Sequence, residues 1–326
     1  MKFKRLAILA LLLLAGIAFL IAARGPADPI PDPPGTFSFA VLGDAPYYFF
    51  EDWQYRLVLD ELAANELAAV IHVGDIFWRP CTHELYRRSL GWFNELPHPV
   101  IYTPGDNEWT DCWERGSGRH APLERLDRLR EVFFAEPGMS LGSRPIPVDS
   151  QDEYVENVRW RHEGLVFATV HLVGSWNGMA GFDGRARGDD EAVVQRTEAA
   201  AAWLRETFAK AESSSAEAVV LAFHGNPAFE NPVIDRYRRT YEPFLEALEE
   251  EAERFGKPVL LTHGDYHEYS VDRPLVRRSD GRRLANVVRM QVPGSPNVGW
   301  VRVTVTPGAD EPFAFREHVV PHWKFF

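Results

Sequence analysis

Three segments that share one pattern constrain the fold of this chain most strongly. Each is an apolar run that ends in Gly-Asp and is followed by a loop and a segment of helical periodicity. The runs end at Asp44, Asp75 and Asp106, which are evenly spaced by 31 residues. Such runs predict buried strands, and right-handed crossovers lay them parallel and side by side. Because ligands bind beyond the carboxyl ends of parallel strands, we expect three carboxylates at one edge of a sheet.

The remainder of the chain extends this pattern. Two further apolar runs, 218–223 and 258–262, end in His224-Gly-Asn-Pro and His263-Gly-Asp-Tyr-His. Segments 154–162 and 165–171 predict a hairpin, and 286–293 and 300–305 alternate like antiparallel strands of a second sheet. Helices are predicted at 53–66, 83–96, 123–134, 190–211 and 243–255. The predicted fold class is α/β, with two mixed β-sheets packed together and flanked by helices.

The first 24 residues have the pattern of an export signal. Three basic residues precede an uncharged apolar run from Leu6 to Ala23. The run is also long enough to span a bilayer, so a cleaved signal peptide and a retained signal-anchor helix both remain open. Residues 25–36 predict a Pro-rich linker, and 37–326 a single domain. We therefore expect an exported domain that is periplasmic, secreted or membrane-anchored by the N-terminal helix.

Charge and motif content exclude several classes of function. The formal net charge of −12 argues against a nucleic-acid partner bound through electrostatics and is compatible with cation binding. The sequence contains no Gly-x-x-x-x-Gly-Lys loop for nucleotides. The sequence does not determine the oligomeric state.

Residues whose side chains can bind metal ions follow five predicted strands. They are Asp44, Asp75, Asp106 with Asn107, His224, and the group His263, Asp265 and His267. A single Gly-Asp is also explained by a capping turn at a strand end. The whole set instead favours a metal centre, because carboxylates and imidazoles bind Mn²⁺, Fe, Zn²⁺ and Mg²⁺ and converge from strand ends in two-metal sites.

In this order, the segments resemble the five motifs of the calcineurin-like metallophosphoesterase superfamily. The resemblance spans residues 37 to about 270 and includes Pro-Gly-Asp-Asn-Glu at 104–108 and Gly-Asp-Tyr-His at 264–267. The family pattern is Asp-x-His, Gly-Asp, Gly-Asn-His, a lone His, and Gly-His-x-His. This chain departs from it at four positions, because Pro46 and Asn107 replace histidines, Asp106 replaces Asn, and Asp265 replaces His.

The resemblance implies a metal site with a defined set of ligands. Asp75 would bridge two metals; the remaining ligands would be Asp44 and His267 on the first metal, and Asp106, His224 and Asp265 on the second. The first metal then lacks one ligand, so either water completes it or the site is effectively mononuclear. One or two divalent ions are expected from Mn, Fe, Mg, Ca or Zn, and the oxygen-rich set favours Mn²⁺, Mg²⁺ or Ca²⁺ over Zn²⁺. A shift of the loop by one residue would exchange Asp106 and Asn107 at the metal.

The resemblance also implies a reaction, the hydrolysis of small-molecule phosphate mono- or diesters by attack of a metal-bound hydroxide on phosphorus. Asn107 stands where the family has a His that assists the leaving group, and an amide cannot serve as an acid near neutral pH. His171 and His263 are candidates for that role. Two alternatives stay open: a degenerate member that binds a metal or phosphorylated ligand without turnover, and a structural envelope protein without a metal.

The two cysteines and several loop residues complete the predictions. Cys81 and Cys112 each follow a Gly-Asp aspartate by six residues, which predicts a disulfide between adjacent loops in an exported protein. Two unpaired buried cysteines are the alternative. The aromatic loops 46–53 and 108–113 either stack a substrate group or pack against the core. Candidates for pairing with a substrate phosphate are Arg79, Arg115 and Arg119.

Overall fold

The computed structural model describes residues 29–229 and 236–321. The predicted signal or anchor segment, 1–24, and the first part of the predicted linker lie outside these ranges. Within them, no helix combines the length and apolar character needed to cross a membrane.

The described residues contain twelve strands in two mixed sheets. In chain order they are β1 (Phe37–Leu42), β2 (Val70–His72), β3 (Val100–Tyr102), β4 (Asp149–Ser150), β5 (Val158–His162), β6 (Leu165–Thr169), β7 (Ala218–Ala222), β8 (Val259–His263), β9 (Ser270–Asp272), β10 (Val287–Gln291), β11 (Gly299–Val305) and β12 (Phe313–Val319). One sheet has the order β12-β11-β1-β2-β3 and the other β4-β5-β6-β7-β8-β10-β9. The two mixed sheets confirm the predicted α/β fold class.

Parallel pairing is confirmed where the Gly-Asp spacing predicts it. Strands β1, β2 and β3 are parallel neighbours, with Leu42 in register with His72 and His72 with Tyr102. In the second sheet β6, β7, β8 and β10 are parallel, while β5 forms the predicted antiparallel hairpin with β6. The carboxyl ends of the central strands of each sheet therefore lie at one edge.

Five long helices flank the sheets near the predicted positions. They are α1 (Asp52–Ala64), α2 (His83–Glu95), α3 (Pro122–Phe133), α4 (Arg187–Ser213) and α5 (Glu242–Phe255). Local chemistry accounts for several ends: the Thr82 side chain accepts a hydrogen bond from Leu85 N at the start of α2, and Pro122 occupies the first turn of α3. Gly256 ends α5 in the left-handed conformation.

The last two apolar segments, which the sequence predicts as antiparallel strands of one second sheet, lie in different sheets, and only β11 is antiparallel to both of its neighbours. Strand β10 pairs in parallel with β8 in the seven-stranded sheet, whereas β11 pairs antiparallel with β1 in the five-stranded sheet. Alternation of apolar and polar residues reports which side of a strand is buried, but it does not identify the neighbouring strand. Both strands are buried along most of their length, so each is covered on two faces.

The two sheets pack face to face across a shared apolar core. Phe39 and Ile71 of the first sheet lie in one cluster with Phe167, Leu260 and Met290 of the second. The Phe39 and Phe167 rings meet edge to face, with centroids 5.3 Å apart. This packing brings the carboxyl-end edges of both sheets together, which positions the site described below.

Part of the Pro-rich segment contacts the domain. Ile30 N donates to Asn65 Oδ1 at 2.9 Å, and the buried guanidinium of Arg302 on β11 donates to Ile30 O at 2.9 Å and to Asp32 Oδ1 at 2.8 Å. A buried Arg is stabilised only when its donors are paired. Among the described residues, contacts with the domain therefore extend back to Ile30, within the segment predicted as a linker.

The predicted disulfide is confirmed. Cys81 and Cys112 are bonded, with Cα atoms 5.7 Å apart, and the described residues contain no free cysteine. The bond joins the loop after β2 to the loop after β3. Those two loops carry Asp75 and Asp106, so the disulfide connects the segments that border the site.

Candidate metal centre

The structure brings five of the six predicted metal ligands into two overlapping groups. Asp44, Asp75 and His224 each offer one atom within 4.8 Å of the others, and Asp106, His224 and Asp265 do the same. His224 belongs to both groups, since its Nε2 atom lies 2.9 Å from Asp106 Oδ1 and 3.4 Å from Asp75 Oδ1. Residues separated by up to 221 positions along the chain thus meet at one edge.

The sixth predicted ligand, His267, lies beside the first group. Its Nε2 atom is 3.7 Å from Asp44 Oδ1, and the ring is partly exposed. All six predicted ligands therefore gather where the two sheets meet.

Both imidazoles are oriented by main-chain carbonyl groups. The Nδ1 atom of His224 lies 2.8 Å from Val73 O, and that of His267 lies 2.8 Å from Ser295 O. A carbonyl oxygen only accepts hydrogen bonds, so Nδ1 carries a hydrogen in each ring. The Nε2 atoms then face the carboxylates, which is the arrangement of metal-ligating histidines.

Four of the six side chains stand on left-handed backbone. The φ angles are 55° at Asp44, 55° at Asp75, 79° at Asp265 and 59° at His267. This region costs a residue with a Cβ atom about 1–2 kcal/mol, so it persists only where the surrounding structure enforces it. Its concentration at these residues is typical of a functional site.

The glycines of the motifs make room for carboxylates of neighbouring strands. A Cβ atom at Gly105 would overlap Asp75 Oδ1, and one at Gly264 would overlap Asp44 Oδ2. Glycine alone permits such a close approach. The Gly-Asp pattern is therefore explained by the packing of one motif against another, as well as by turns at strand ends.

The centre concentrates negative charge away from water. Burial raises the pKa of Asp44, and it raises that of Asp75 well above its usual range, with Asp106 adding to the shift. Burial acts in the same direction on Asp106, but the hydrogen bond and charge of His224 outweigh it and lower the pKa of Asp106. Burial would lower the pKa of His224, yet the carboxylates of Asp75 and Asp106 raise it well above its ordinary value. Protons bound to these side chains therefore reduce the negative charge of the centre, and metal ions can displace those protons.

The residues fit a divalent cation. Asp44 Oδ2 is buried and has no hydrogen-bond partner among the described residues. A carboxylate oxygen in that position is costly unless a cation or donor satisfies it. The set of four carboxylates and two imidazoles is of the kind that binds hard and borderline divalent ions.

The alternative between Asp106 and Asn107 has a clear structural outcome. Asp106 faces His224, whereas Asn107 turns to Asp75 and donates from its backbone N to Oδ1 at 3.1 Å and from Nδ2 to Oδ2 at 2.6 Å. Asn107 therefore fixes the orientation of the Asp75 carboxylate. Asp106 is the residue of this pair that belongs to the ligand groups.

His171 and His263, the candidate leaving-group acids, are both held in the core. His171 Nδ1 lies 2.7 Å from Glu156 Oε1, and both side chains are fully buried. Burial lowers the pKa of His171 to about 4. The ring of His263 stacks on Phe223 with centroids 5.4 Å apart and is also fully buried. These surroundings are those of structural histidines, and neither residue has an exposed surface through which to meet a substrate.

Sequence reasoning missed two residues whose side chains donate hydrogen bonds to predicted ligands. The hydroxyl of Tyr47 donates to Asp75 Oδ2 at 2.5 Å, and Ser175 Oγ lies 2.9 Å from Asp106 Oδ2. The position of Tyr47 directly after Pro46, where the family has a ligand, was a usable signal. Ser175 had none, because it lies in the helical turn Gly174–Asn177, whose left-handed backbone no residue pattern indicates.

The loop after Asp44 presents aromatic rings to solvent. Tyr48 and Phe50 stack with centroids 5.2 Å apart, Tyr48 meets Trp78 edge to face, and Phe49 is 88% exposed. The Arg79 guanidinium lies 3.7 Å from the centroid of the Trp78 ring. The exposure of these rings excludes them from the core, so the interpretation of this part of the loop as core packing is not supported.

Fold and site together define an α/β protein with a candidate metal centre at the carboxyl ends of its strands. The family model for calcineurin-like phosphoesterases matches residues 37–269. The chain belongs to the calcineurin-like phosphoesterase family, whose members typically bind divalent metals.

Comparison with solved structures agrees with this fold. PhoD is similar with a TM-score of 0.53 and 14% sequence identity, over 91% of this chain and 73% of PhoD. A phosphopantetheinyl hydrolase from Mycobacterium tuberculosis matches with a TM-score of 0.39 and 15% identity, over 83% of this chain and 91% of its own. At 14% identity the likeness to PhoD shows a shared fold alone. Comparison with curated protein sequences gives no significant match.

The acidic centre predicts a pH-dependent stability in the presence of a chelator. Burial, with the charge of Asp106, raises the pKa of Asp265 from 3.8 to about 7. Between pH about 4 and about 7 the unfolded chain loses this proton while the folded chain keeps it. The contribution of Asp265 to the free energy of unfolding therefore falls as pH rises through this window and levels off above it.

We test this with the variant Asp265→Asn, which keeps an oxygen for the hydrogen bond from Asn226 N. Urea unfolding is measured in chelator at pH 5 and pH 8. The free energy of unfolding of the variant relative to the wild type should rise between these pH values by roughly 2–3 kcal/mol, because the titration covers about two pKa units of about 1.4 kcal/mol each. Taking the difference between the two proteins cancels the other titrating groups. A difference that does not change with pH would contradict the assignment.

Proposed function

We propose that this protein is a metal-dependent hydrolase of phosphate mono- or diesters that acts outside the cytoplasm. One observation carries the proposal: two imidazoles, each fixed through Nδ1 by a main-chain carbonyl, turn Nε2 towards four carboxylates at the shared sheet edge. Membership of the phosphoesterase family supports the general class of reaction.

The proposed ligands form two sets that share Asp75. Asp44, Asp75 and His267 would hold one ion, and Asp75, Asp106, His224 and Asp265 the other; His224 lies close to side chains of both sets. Divalent ions held there would neutralise charge on phosphoryl oxygens and activate water as a nucleophile. Manganese and magnesium suit so oxygen-rich a set, with iron, calcium and zinc as further candidates.

The protein's own groups would orient the reaction. Asn107 holds the Asp75 carboxylate through two hydrogen bonds, and the buried carbonyls of Val73 and Ser295 set the two imidazoles. The exposed Tyr48 and the Trp78–Arg79 pair border this edge and offer stacking and positive charge to the substrate.

Leaving-group chemistry limits the substrates we expect. Asn107 cannot donate a proton as an acid, and His171 and His263 are enclosed in the core. Esters whose leaving group departs without protonation, such as aryl phosphates, are therefore expected to react faster than alkyl phosphates.

The enzymatic proposal is tested by turnover. The chelated protein is assayed with p-nitrophenyl phosphate and bis-p-nitrophenyl phosphate, before and after addition of Mn²⁺, Mg²⁺, Fe²⁺, Zn²⁺ or Ca²⁺. We expect no turnover without metal and restored turnover with at least one ion. If the protein binds metal tightly and hydrolyses neither ester, the degenerate binding protein, which the replacements at Pro46 and Asn107 favour, becomes the better description.

The proposed location rests on two features. The basic and apolar pattern of residues 1–24 predicts export, and a disulfide between Cys81 and Cys112 is expected to persist in an oxidising compartment. The substrate would then be a small phosphate ester met outside the cytoplasm, with the N-terminal segment as the membrane attachment if it is retained. A fusion to a reporter that is active only after export tests this, and an inactive, cytosolic reporter would contradict it.

A further inference from the structure

The first of the two proposed metal positions lacks the imidazole that Pro46 replaces, and the structure places another donor there. The phenolic hydroxyl of Tyr47 lies 2.5 Å from Asp75 Oδ2 and 3.2 Å from His267 Nε2. The Tyr47 and His267 rings meet edge to face with centroids 5.0 Å apart. One oxygen atom therefore lies within hydrogen-bond distance of two of the three residues proposed for this metal.

The position of Tyr47 is fixed by a chain of buried hydrogen bonds. Glu51, whose side chain is buried, accepts a hydrogen bond from Tyr47 N at 2.7 Å through Oε2 and one from Ser295 Oγ at 2.8 Å through Oε1. The carbonyl of the same Ser295 accepts the bond from His267 Nδ1. Glu51 thus couples the backbone of Tyr47 to the orientation of His267, as expected of groups that act on one ligand.

We propose that the phenolic oxygen of Tyr47 is a ligand of the metal ion held by Asp44, Asp75 and His267. This inference rests on the proposed metal centre and completes its first position. The bound ion would take the place of the phenol proton, which is released to solvent. A phenolate adds a hard, anionic oxygen, so this position should prefer iron or manganese to zinc.

The competing description is a tyrosine that only steadies the Asp75 carboxylate. Both descriptions allow a loss of activity when the hydroxyl is removed, so activity does not separate them. They differ in spectroscopy, because only direct coordination gives a charge-transfer absorption between a phenolate and ferric iron. The experiment therefore measures metal binding and absorption.

Four proteins are compared after chelation: the wild type, Tyr47→Phe, Tyr47→His and the control Tyr48→Phe. Tyr48 is the adjacent tyrosine and is 41% exposed. Calorimetric titration with Mn²⁺ gives affinity, visible absorption after loading with Fe³⁺ reports phenolate coordination, and circular dichroism verifies folding.

We expect the wild type and Tyr48→Phe to bind alike and to show the visible band. Tyr47→Phe should lose the band. It should also bind Mn²⁺ more weakly at one position, by roughly tenfold to a hundredfold or more, because removing a group that only supports a ligand already costs this much and removing a ligand should cost at least as much. Tyr47→His should recover Mn²⁺ affinity without the band. A Tyr47→Phe protein with unchanged affinity and an unchanged band would overturn this ligand while leaving the proposed function intact. A wild type that takes up no metal would overturn both.

Discussion

Replacing Asp75 by Asn is expected to lower metal-dependent phosphoesterase turnover by roughly a hundredfold to a thousandfold, the range seen when a key electrostatic group is removed. Asp75 belongs to the first group of candidate ligands, lies 3.4 Å from Nε2 of the shared His224, and receives hydrogen bonds from Asn107 and Tyr47. Asn preserves its shape but removes the charge that two cations would share. The rate of hydrolysis of the better aryl ester from the screen, measured at saturating metal, is the readout.

Two comparisons make the Asp75 result specific. Asp52→Asn removes a carboxylate on α1 that pairs with Arg88 outside the centre, so turnover should be retained. Because burial raises the pKa of Asp75, its charge is unfavourable in chelated protein, and Asp75→Asn should then be at least as resistant to urea as the wild type. Full turnover in Asp75→Asn would remove this residue from the mechanism.

Replacing Gly264 by Ala is expected to destabilise the domain by about 1–3 kcal/mol, the usual cost of inserting a methyl group where no space exists. The added Cβ atom would overlap Asp44 Oδ2, and Asp44 cannot easily move because its Oδ1 atom is bonded to Asp265 N at 3.0 Å. Displacing Asp44 should also weaken metal binding. Urea unfolding and titration with Mn²⁺ measure the two effects.

A matched control for this substitution is Gly91→Ala. Gly91 lies within α2, and a Cβ atom there would meet no neighbour within 4 Å. Alanine should stabilise this helix by up to about 1 kcal/mol and leave metal binding unchanged. If Gly264→Ala behaved like the control, the close packing of the motif glycines against carboxylates would not matter for the site.

The parts of the fold that the sequence predicts depend on local patterns. The 31-residue spacing of Asp44, Asp75 and Asp106 fixes three parallel strands, and apolar periodicity places the five long helices. The disulfide also follows, because Cys81 and Cys112 occupy equivalent positions after neighbouring strands. Each of these features depends on a spacing between residues that is visible in a single sequence.

Features that depend on contacts between distant segments could not be predicted. The alternating pattern of β10 and β11 does not say that they join different sheets. The sequence also does not reveal that the Tyr47 hydroxyl contacts Asp75, or that His171 is buried in the core next to the Glu156 carboxylate. A histidine at a strand end has the same sequence context whether it faces a ligand or the interior.

The structure shows which contacts the residues that depart from the family pattern make. Asp106 contacts His224, and Asp265 lies in the same group, so both aspartates belong to a set of side chains that could hold a metal ion. Asn107 orients Asp75 instead of approaching a substrate as an acid. The substitutions therefore produce a more acidic centre, and Tyr47 lies next to Pro46, the residue that replaces the family's histidine.

The metal content of the purified protein, determined by elemental mass spectrometry after incubation with Mn²⁺ and removal of excess ion, tests the central claim most directly. Two groups of ligands sharing His224 predict about two equivalents per chain, with most of this metal lost in Asp75→Asn. A folded wild-type protein that retains no metal would contradict the account, because the cluster of buried carboxylates would then serve another purpose.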